Sequence, residues 1–315
     1  MAERFRVVVV GMGVQGEKRV AAGGKDVVAT IDPYKAGVTH KHIEEMPLDA
    51  YDAALICTPD EPKIEILSYL ARHGKHALVE KPLLSHDTPA LQALSDLVKA
   101  SGVVCYTAYN HRFEPHFIRM REAIQSGRLG RIYSLRMFYG NGTARLVRDS
   151  MWRDQGDGVL PDLGSHLLDT AAFWFGDLAG SAFQLFSANR FENRAWDHIA
   201  FGRKGDPLLQ FEMTLLSWRN HFYADVFAEN GSAHIQSLCK WGPSTFTIRD
   251  RKLPSGRPDE DLVTLVCADP TWAAEYAHFK ALCAAPGNAA QDLAKDIWIN
   301  ATLLDIAAQA KAGAA

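Results

Sequence analysis

The sequence predicts an α/β protein. A parallel, doubly wound sheet covered by helices fills the first third of the chain, and an α+β region built on a mostly antiparallel sheet follows. Three observations carry this reading. From Phe5 to about Thr107, short apolar runs alternate with longer amphipathic ones, the pattern of strands buried on both faces by crossover helices. A glycine-rich turn, Gly11-Met12-Gly13-Val14-Gln15-Gly16, follows the first apolar run directly. From Ser181 to Val266 the runs alternate apolar with polar residues, and Glu229-Asn230-Gly231-Ser232 is a hairpin signal between two of them.

The first strand is FRVVVV, Phe5 to Val10. The next four are VVATI (Val27 to Ile31), DAALICT (Asp52 to Thr58), KHALVE (Lys75 to Glu80) and VVCYT (Val103 to Thr107). In the stretch from Asp60 to His73, Ile64, Leu67 and Leu70 recur at helical spacing, and Gly74 stands where a C-cap belongs. A second helix runs from Asp87, as N-cap, to Ala100, with Gly102 just past its end. After Tyr109 the character changes to a helix around Pro115 to Ser126, then RIYSLRMFYG, a long polar loop from Asn141 to Asp157, and an apolar helix from about Asp162 to Phe175. The tail returns to helix from Trp272 onward.

With 315 residues, 47% of them apolar and 23% charged, the chain has core enough for two domains. Its net charge of -3 gives no general attraction to nucleic acid or anionic lipid, so neither is expected as a partner. The five cysteines, Cys57, Cys105, Cys239, Cys267 and Cys283, are odd in number, widely spaced and free of any C-x-x-C pair. A disulfide framework or zinc site is therefore not expected, and a reducing compartment is. The N-terminal apolar run is short and glycine-interrupted, and no run approaches membrane-spanning length, so the expectation is a cytoplasmic protein of enzyme size.

Two stretches carry chemistry. In the glycine-rich turn, the first glycine allows the tight bend, the second lets the backbone approach a pyrophosphate, and the third permits close helix packing. The helix that follows offers its unpaired N–H groups to the anion. Asp32 closes the second strand roughly 20 residues on, where a carboxylate accepts hydrogen bonds from ribose hydroxyls and repels a 2'-phosphate. NAD is therefore favoured over NADP, although Lys35 close by softens that discrimination and leaves NADP open.

The second stretch is HALVEKPLL, His76 to Leu84, in which a buried run ends at Glu80 and Lys81 with Pro82 behind. A residue before proline is pushed toward extended geometry, so Lys81 is an ammonium aimed from a strand end. Read alone, it is more simply a surface cation paired with Glu80 or another acid. In GVLPDLGSHLLDT, Asp162, His166 and Asp169 fall at i, i+4 and i+7 and share one helix face. That spacing suits a capping Asp162 beside a packed histidine or, less well, a metal site that lacks an evident third ligand.

Taken together, these motifs resemble the glucose-fructose oxidoreductase, inositol dehydrogenase and MocA family of NAD(P)-dependent sugar and polyol dehydrogenases. The resemblance rests on the Gly11 to Gly16 fingerprint, the Thr58-Pro59 turn leading to Glu80-Lys81-Pro82, YNHRFEP, SGRLGRI and GDGVLPDLGSHLLD, in the expected order. It implies an N-terminal Rossmann domain over residues 1–110, to which about 271–315 return. It also implies a domain over residues 111–270 whose large open sheet serves substrate binding and oligomer contacts, as a homodimer or homotetramer.

Residue by residue, the resemblance implies a cofactor site of Gly11, Gly13, Val14, Gln15, Gly16, Asp32, Thr58, Pro59, Glu80, Lys81 and Asn110. Lys81, Asp162 and His166 match the family's catalytic positions. Tyr109, Arg112, Trp152 and Arg153 join those three on the substrate side. Two departures stand out: the family's frequent histidine after the T-P turn is Lys63 here, and its G-G-G is Gly156-Asp157-Gly158.

The implied reaction moves a hydride between a secondary alcohol of a sugar, polyol or sugar nucleotide and NAD(P). Such a reaction needs a base and a held geometry. Neutral His166 is the leading base, with Lys81 stabilising alkoxide charge and Asp162 orienting; a desolvated Lys81 as base is the alternative. Two other classes share the motifs: a glycosidase that oxidises its sugar transiently with bound NAD, and a non-catalytic NAD-binding regulator.

Overall fold

The computed structural model describes residues 4–150, 153–178, 180, 182–285 and 293–313. The chain divides into two compact units, residues 1–110 with 271–300, and residues 111–270 with 301–315.

The first unit begins with β1 (Val7–Val10), α1 (Val14–Gly23), β2 (Val27–Ile31), β3 (Ala53–Ile56), α2 (Lys63–Arg72), β4 (His76–Glu80), α3 (Thr88–Ser101) and β5 (Cys105–Ala108). The five strands form one parallel sheet in the order β2-β1-β3-β4-β5. Val7 to Val10 and Ala53 to Ile56 are buried throughout, as a strand covered on both faces requires. Leu67, Leu70, Leu91, Leu94 and Val98 present the apolar faces of α2 and α3 to the same core. Asp87 caps α3 by accepting the N–H of Ala90 at 2.9 Å, and Gly102 ends the helix in the left-handed region at φ 66°. α2 starts at Lys63, later than expected, because Pro62 disfavours helical geometry in the residue before it.

The second unit contains α4 (Pro115–Gln125), β6 (Ile132–Gly140), α5 (Ala144–Arg148), a π-helical turn (Leu160–Gly164) and α6 (Ser165–Phe175). β7 (Gln184–Asn189), β8 (His198–Arg203), β9 (Leu208–Thr214), β10 (His221–Ala228), β11 (Gly231–Gln236), β12 (Ser244–Asp250) and β13 (Asp259–Leu265) follow. Eight strands form one sheet in the order β13-β12-β11-β10-β6-β9-β8-β7, antiparallel except where β6 meets β9. The Glu229 to Ser232 signal is the β10–β11 hairpin, with Phe227 opposite Ser232. Alternation sorts the two faces: Phe222, Ala224 and Val226 of β10 are buried, while Tyr223, Asp225 and Phe227 lie on the other side. Trp174 of α6 donates to the Phe117 carbonyl of α4 at 3.0 Å, tying together the two helices on the covered face.

Two expectations need correction. The stretch from Asn141 to Asp157 is not loop throughout, since α5 lies inside it: Ala144 and Val147 are buried at helical spacing and Val147 N–H bonds the Thr143 carbonyl. Asp162 does not start or cap a regular helix, but sits within the π-helical turn ahead of α6.

Two helices close the chain, α7 (Thr271–Ala284) and α8 (Ala294–Gly313). α7 belongs to the first unit, where Tyr276 donates to Asp26 at 3.1 Å, and Asn300 of α8 exchanges two hydrogen bonds with the Ser85 backbone. Residues 301–315 group with the second unit instead, where Gln309 bonds Phe183 and Leu185 and Lys311 pairs with Asp157.

Candidate active site

In the first unit the parallel register brings strand ends together. Val10 pairs with both Ile31 and Ile56, and Ile56 with Val79. Gly11, Asp32, Thr58 and Lys81 therefore all leave the sheet at its carboxyl edge. The order reverses there, with β2 on one side of β1 and β3 to β5 on the other. In open α/β sheets, ligands bind at such a switch point.

The three glycines differ in what surrounds them. Gly11 has φ 90°, and a Cβ there would lie 2.7 Å from the Cys57 carbonyl carbon, so neither conformation nor space admits a side chain. A Cβ on Gly16 would fall 2.0 Å from the Gly11 carbonyl oxygen, which is how closely α1 approaches the turn. Around Gly13 nothing lies within 4 Å of that position. Gly13 is also the N-cap of α1 and supplies no capping side chain, leaving the first N–H groups available to an anion. Val14 and Gln15 stand exposed on that first turn.

Asp32 accepts hydrogen bonds from the N–H groups of Met12 at 2.8 Å and of Tyr34 and Lys35 at 2.9 Å. Burial pushes its carboxyl upward, but these N–H groups outweigh that and hold it below the usual carboxylate range. A fixed anion thus stands beside the glycine turn. Lys35 is drawn to Glu17 at 2.7 Å and to the Met12 carbonyl, which occupies the cation expected to blunt discrimination against a 2'-phosphate. The buried Thr58 hydroxyl has no hydrogen-bond partner among the described residues, and Pro59 beside it is exposed. Open space at Gly13, uncapped helix N–H groups, an ionised Asp32 and an unsatisfied hydroxyl fit a dinucleotide.

Lys81 follows β4 directly, half-buried, and its bond to Pro82 is cis. Its neighbour Glu80 is committed elsewhere, since Arg19 Nε lies 2.6 Å from its Oε1. Arg19 Nη1 is 2.8 Å from Glu275, and the Trp272 ring lies 4.4 Å from the guanidinium. Burial works against this guanidinium, but Glu275 and Glu80 raise its pKa above the ordinary arginine value. Asn110 donates to the Thr271 hydroxyl at 2.8 Å, and Tyr109 is buried beneath Lys295.

In the second unit His166 is buried on α6, its ring stacked on that of His111 at 4.0 Å with 18° between planes. Tyr139 of β6 lies 5.9 Å from His166 and 5.5 Å from His111, and Trp241 stands 5.8 Å beyond Tyr139. Burial pushes the Tyr139 hydroxyl well up, with the Asp162 charge adding to the shift. Asp162 itself is exposed. Asp169, one helical turn on from His166, is engaged by the fork of Arg112 through two 2.8 Å bonds. Arg112 therefore anchors α6 through a buried carboxylate. Arg153 is exposed, and Asp157, the departure within the glycine-rich stretch, is matched by Lys311 at 2.8 Å. Trp152 lies outside the described residues.

Sequence reasoning passed over His111, although it sits within the quoted YNHRFEP, and it left Lys63 as a departure without a role. No local pattern marks either one, because His111 gains its meaning only 55 positions away at His166, and Lys63 only at Glu80 and Pro82.

An open α/β sheet with a dinucleotide-fitting edge, joined to a unit with a broad, mostly antiparallel sheet, defines a two-unit dinucleotide-binding protein. The chain belongs to the GFO/IDH/MocA oxidoreductase family. Residues 5–109 match the oxidoreductase family's NAD-binding Rossmann fold, and residues 117–234 match the GFO/IDH/MocA C-terminal domain. The chain is 29% identical over 189 residues to inositol 2-dehydrogenase of Rhizobium meliloti (strain 1021), covering 56% of each protein. It is 33% identical over 129 residues to levoglucosan dehydrogenase of Pseudarthrobacter phenanthrenivorans, covering 39% of this chain and 33% of that one. The matched stretches thus span about half or less of these curated relatives. In fold the chain is similar to levoglucosan dehydrogenase complexed with NADH, with a TM-score of 0.83 over 98% of both chains at 18% identity.

Proposed function

We propose that this protein is an NAD-dependent dehydrogenase that moves a hydride between a secondary alcohol of a sugar, polyol or sugar nucleotide and the coenzyme. The observation that carries the reading is the shared carboxyl edge of the parallel sheet, where the open Gly13, the ionised Asp32 and Lys81 stand together. Dehydrogenation of inositol and levoglucosan by relatives supports the substrate class. The hydrogen bonds gathered by Asp32, with Lys35 drawn to Glu17, support NAD over NADP.

Bound nicotinamide supplies the hydride acceptor; this chain supplies proton handling and charge. His166 is the base that takes the hydroxyl proton, its ring plane held by the His111 stack. Lys81 donates to the oxygen that becomes negative, and removing such a preorganised charge typically costs about 3–4 kcal/mol. Asp162 orients a substrate hydroxyl from the turn that precedes His166. Arg112 is a positioning residue for α6, and Tyr109, Trp152 and Arg153 complete the substrate side.

The exposed face of the eight-stranded sheet carries Phe227 and Leu262, at 48% and 57% exposure. That apolar character supports self-association on the face, as a homodimer or homotetramer. Among the described residues no helix is long and apolar enough to cross a membrane, and Cys57, Cys105, Cys239, Cys267 and Cys283 are all free thiols, which supports a cytoplasmic location.

The test is a panel of inositols, aldoses, anhydrosugars and UDP-sugars incubated with NAD, read at the NADH absorbance band. At least one class should give steady NADH formation. Glycoside cleavage without NADH would turn the reading to the transient-oxidation glycosidase. NAD binding without turnover of any panel member would turn it to a regulator.

A further inference from the structure

Lys63 is the first residue of α2, yet it is 2% exposed. A cation there is disfavoured twice, because burial strips its water and the positive end of the helix dipole faces it. Three bonds offset this. The ammonium donates to Asp60 Oδ1 at 2.7 Å, to the Glu80 carbonyl at 2.8 Å and to the Pro82 carbonyl at 2.8 Å. An ammonium has three N–H donors, and all three are taken.

The two carbonyls belong to the residues on either side of Lys81. We propose that Lys63 is the positioning residue for Lys81: by gripping the peptide oxygens before and after it, Lys63 fixes the backbone from which the Lys81 side chain is aimed. The inference rests on the role given to Lys81 in the proposed function.

A second tie acts on the same segment, since the Glu80 side chain is held by Arg19 of α1. The loop is thus pinned from α2 by Lys63 and, through Arg19, from α1, the helix that follows the dinucleotide turn. Burial pushes the Lys63 ammonium below the ordinary lysine value, Asp60 and Glu80 act in the opposite direction, and the Lys81 charge adds to the downward push. Lys63 is therefore close enough to Lys81 for their charges to interact, while its own donors are used up on backbone and Asp60. Lys63 touches no reacting atom in this account. It acts through geometry, and a displacement of about 1 Å at a reacting group can reduce rate by about a hundredfold.

The experiment combines Lys63→Met, which keeps length and removes the donors, with Lys81→Ala. Lys63→Met is expected to lower kcat about 10- to 100-fold with NAD affinity within about threefold of the wild type. In the Lys81→Ala background the same substitution should change kcat less than about twofold, because there is then nothing to aim. Losses that multiply in the double variant, or a Lys63→Met kcat within twofold of wild type, overturn the proposal.

If Lys63→Met does not fold, Asp60→Asn replaces it. Asp60 is partly exposed, and its loss should lower kcat about three- to tenfold in wild type and leave Lys81→Ala unchanged. If Lys81→Ala itself retains turnover, the role of Lys81 fails separately. The positioning claim is then read from a crystal structure of Lys63→Met, where the Glu80 and Pro82 carbonyl oxygens should shift by more than about 0.5 Å. Carbonyls unmoved in that structure overturn it.

Discussion

Replacing Gly13 and Gly16 by alanine in turn separates ligand approach from packing within a single glycine-rich turn. At Gly16 the new Cβ would sit 2.0 Å from the Gly11 oxygen. An ordinary C···O contact is about 3.3 Å, so the turn and α1 must part by about 1.3 Å. Overpacking of this kind costs about 1–3 kcal/mol, which lowers Tm and disturbs the coenzyme turn together. At Gly13 nothing lies within 4 Å, and the backbone at φ −77° and ψ −165° accepts alanine. Loss of unfolded-state freedom stabilises by about 0.4–1 kcal/mol, the poorer N-cap offsets this, and Tm should stay within about 2 °C of wild type. The same methyl group occupies the space through which a pyrophosphate approaches the backbone. NAD affinity should therefore fall at least about tenfold, or about 1.4 kcal/mol. Calorimetric titration with NAD and a thermal melt of each variant check both halves. A Gly13→Ala protein that binds NAD as tightly as wild type would refute the reasoning, because the open space would then not face the coenzyme.

Arg19→Met leaves Glu80 and Glu275 as buried, uncompensated carboxylates, and denaturant unfolding should show a loss of about 3–5 kcal/mol, against little change if the ion triad is structurally idle. Asp26, Asp32 and Asp52 all have carboxyl groups held below their ordinary range: burial opposes the charge in each, but hydrogen bonds from Lys280 and Tyr276, from backbone N–H groups, and from Arg6 outweigh it. Carboxyls depressed in the folded state contribute stability that is present above their unfolded value near pH 4 and lost as pH falls through the lower folded values, so Tm should drop steeply below about pH 4 and less steeply in Asp26→Asn. His111→Ala removes the ring stacked 4.0 Å from His166 and should lower kcat about 2- to 10-fold without changing NAD affinity, as expected for a pair worth about 0.5–1.5 kcal/mol.

Much of the first unit was legible because each strand is a short apolar run that ends in a residue with a reason to stop. VVATI matches β2 residue for residue, and Asp87 and Gly102 bracket α3 as a cap and a left-handed glycine. Legibility failed where burial and strand pairing part. Val103 and Val104 are buried, but the strand begins at Cys105. It failed again where a short element depends on its surroundings, since α5 has five residues and is anchored by the Leu215 carbonyl, far along the chain. In the first unit, residue type and spacing were enough to single out Gly11, Gly13, Gly16 and Asp32, whereas Lys81 and His166 were singled out only by the family resemblance. Commitments between distant side chains carry no local signal, so the engagement of Arg112 by Asp169, of Glu80 by Arg19 and of the Lys81 flanks by Lys63 became visible only in the fold.

Turnover and NAD affinity in Lys81→Ala and His166→Ala test the central claim most directly, on whichever panel substrate reduces NAD fastest. The account predicts that kcat falls at least about a hundredfold in each, while NAD binds within about threefold of wild type. Near-wild-type turnover in both variants would contradict it, because neither the ammonium nor the imidazole would then serve the reaction.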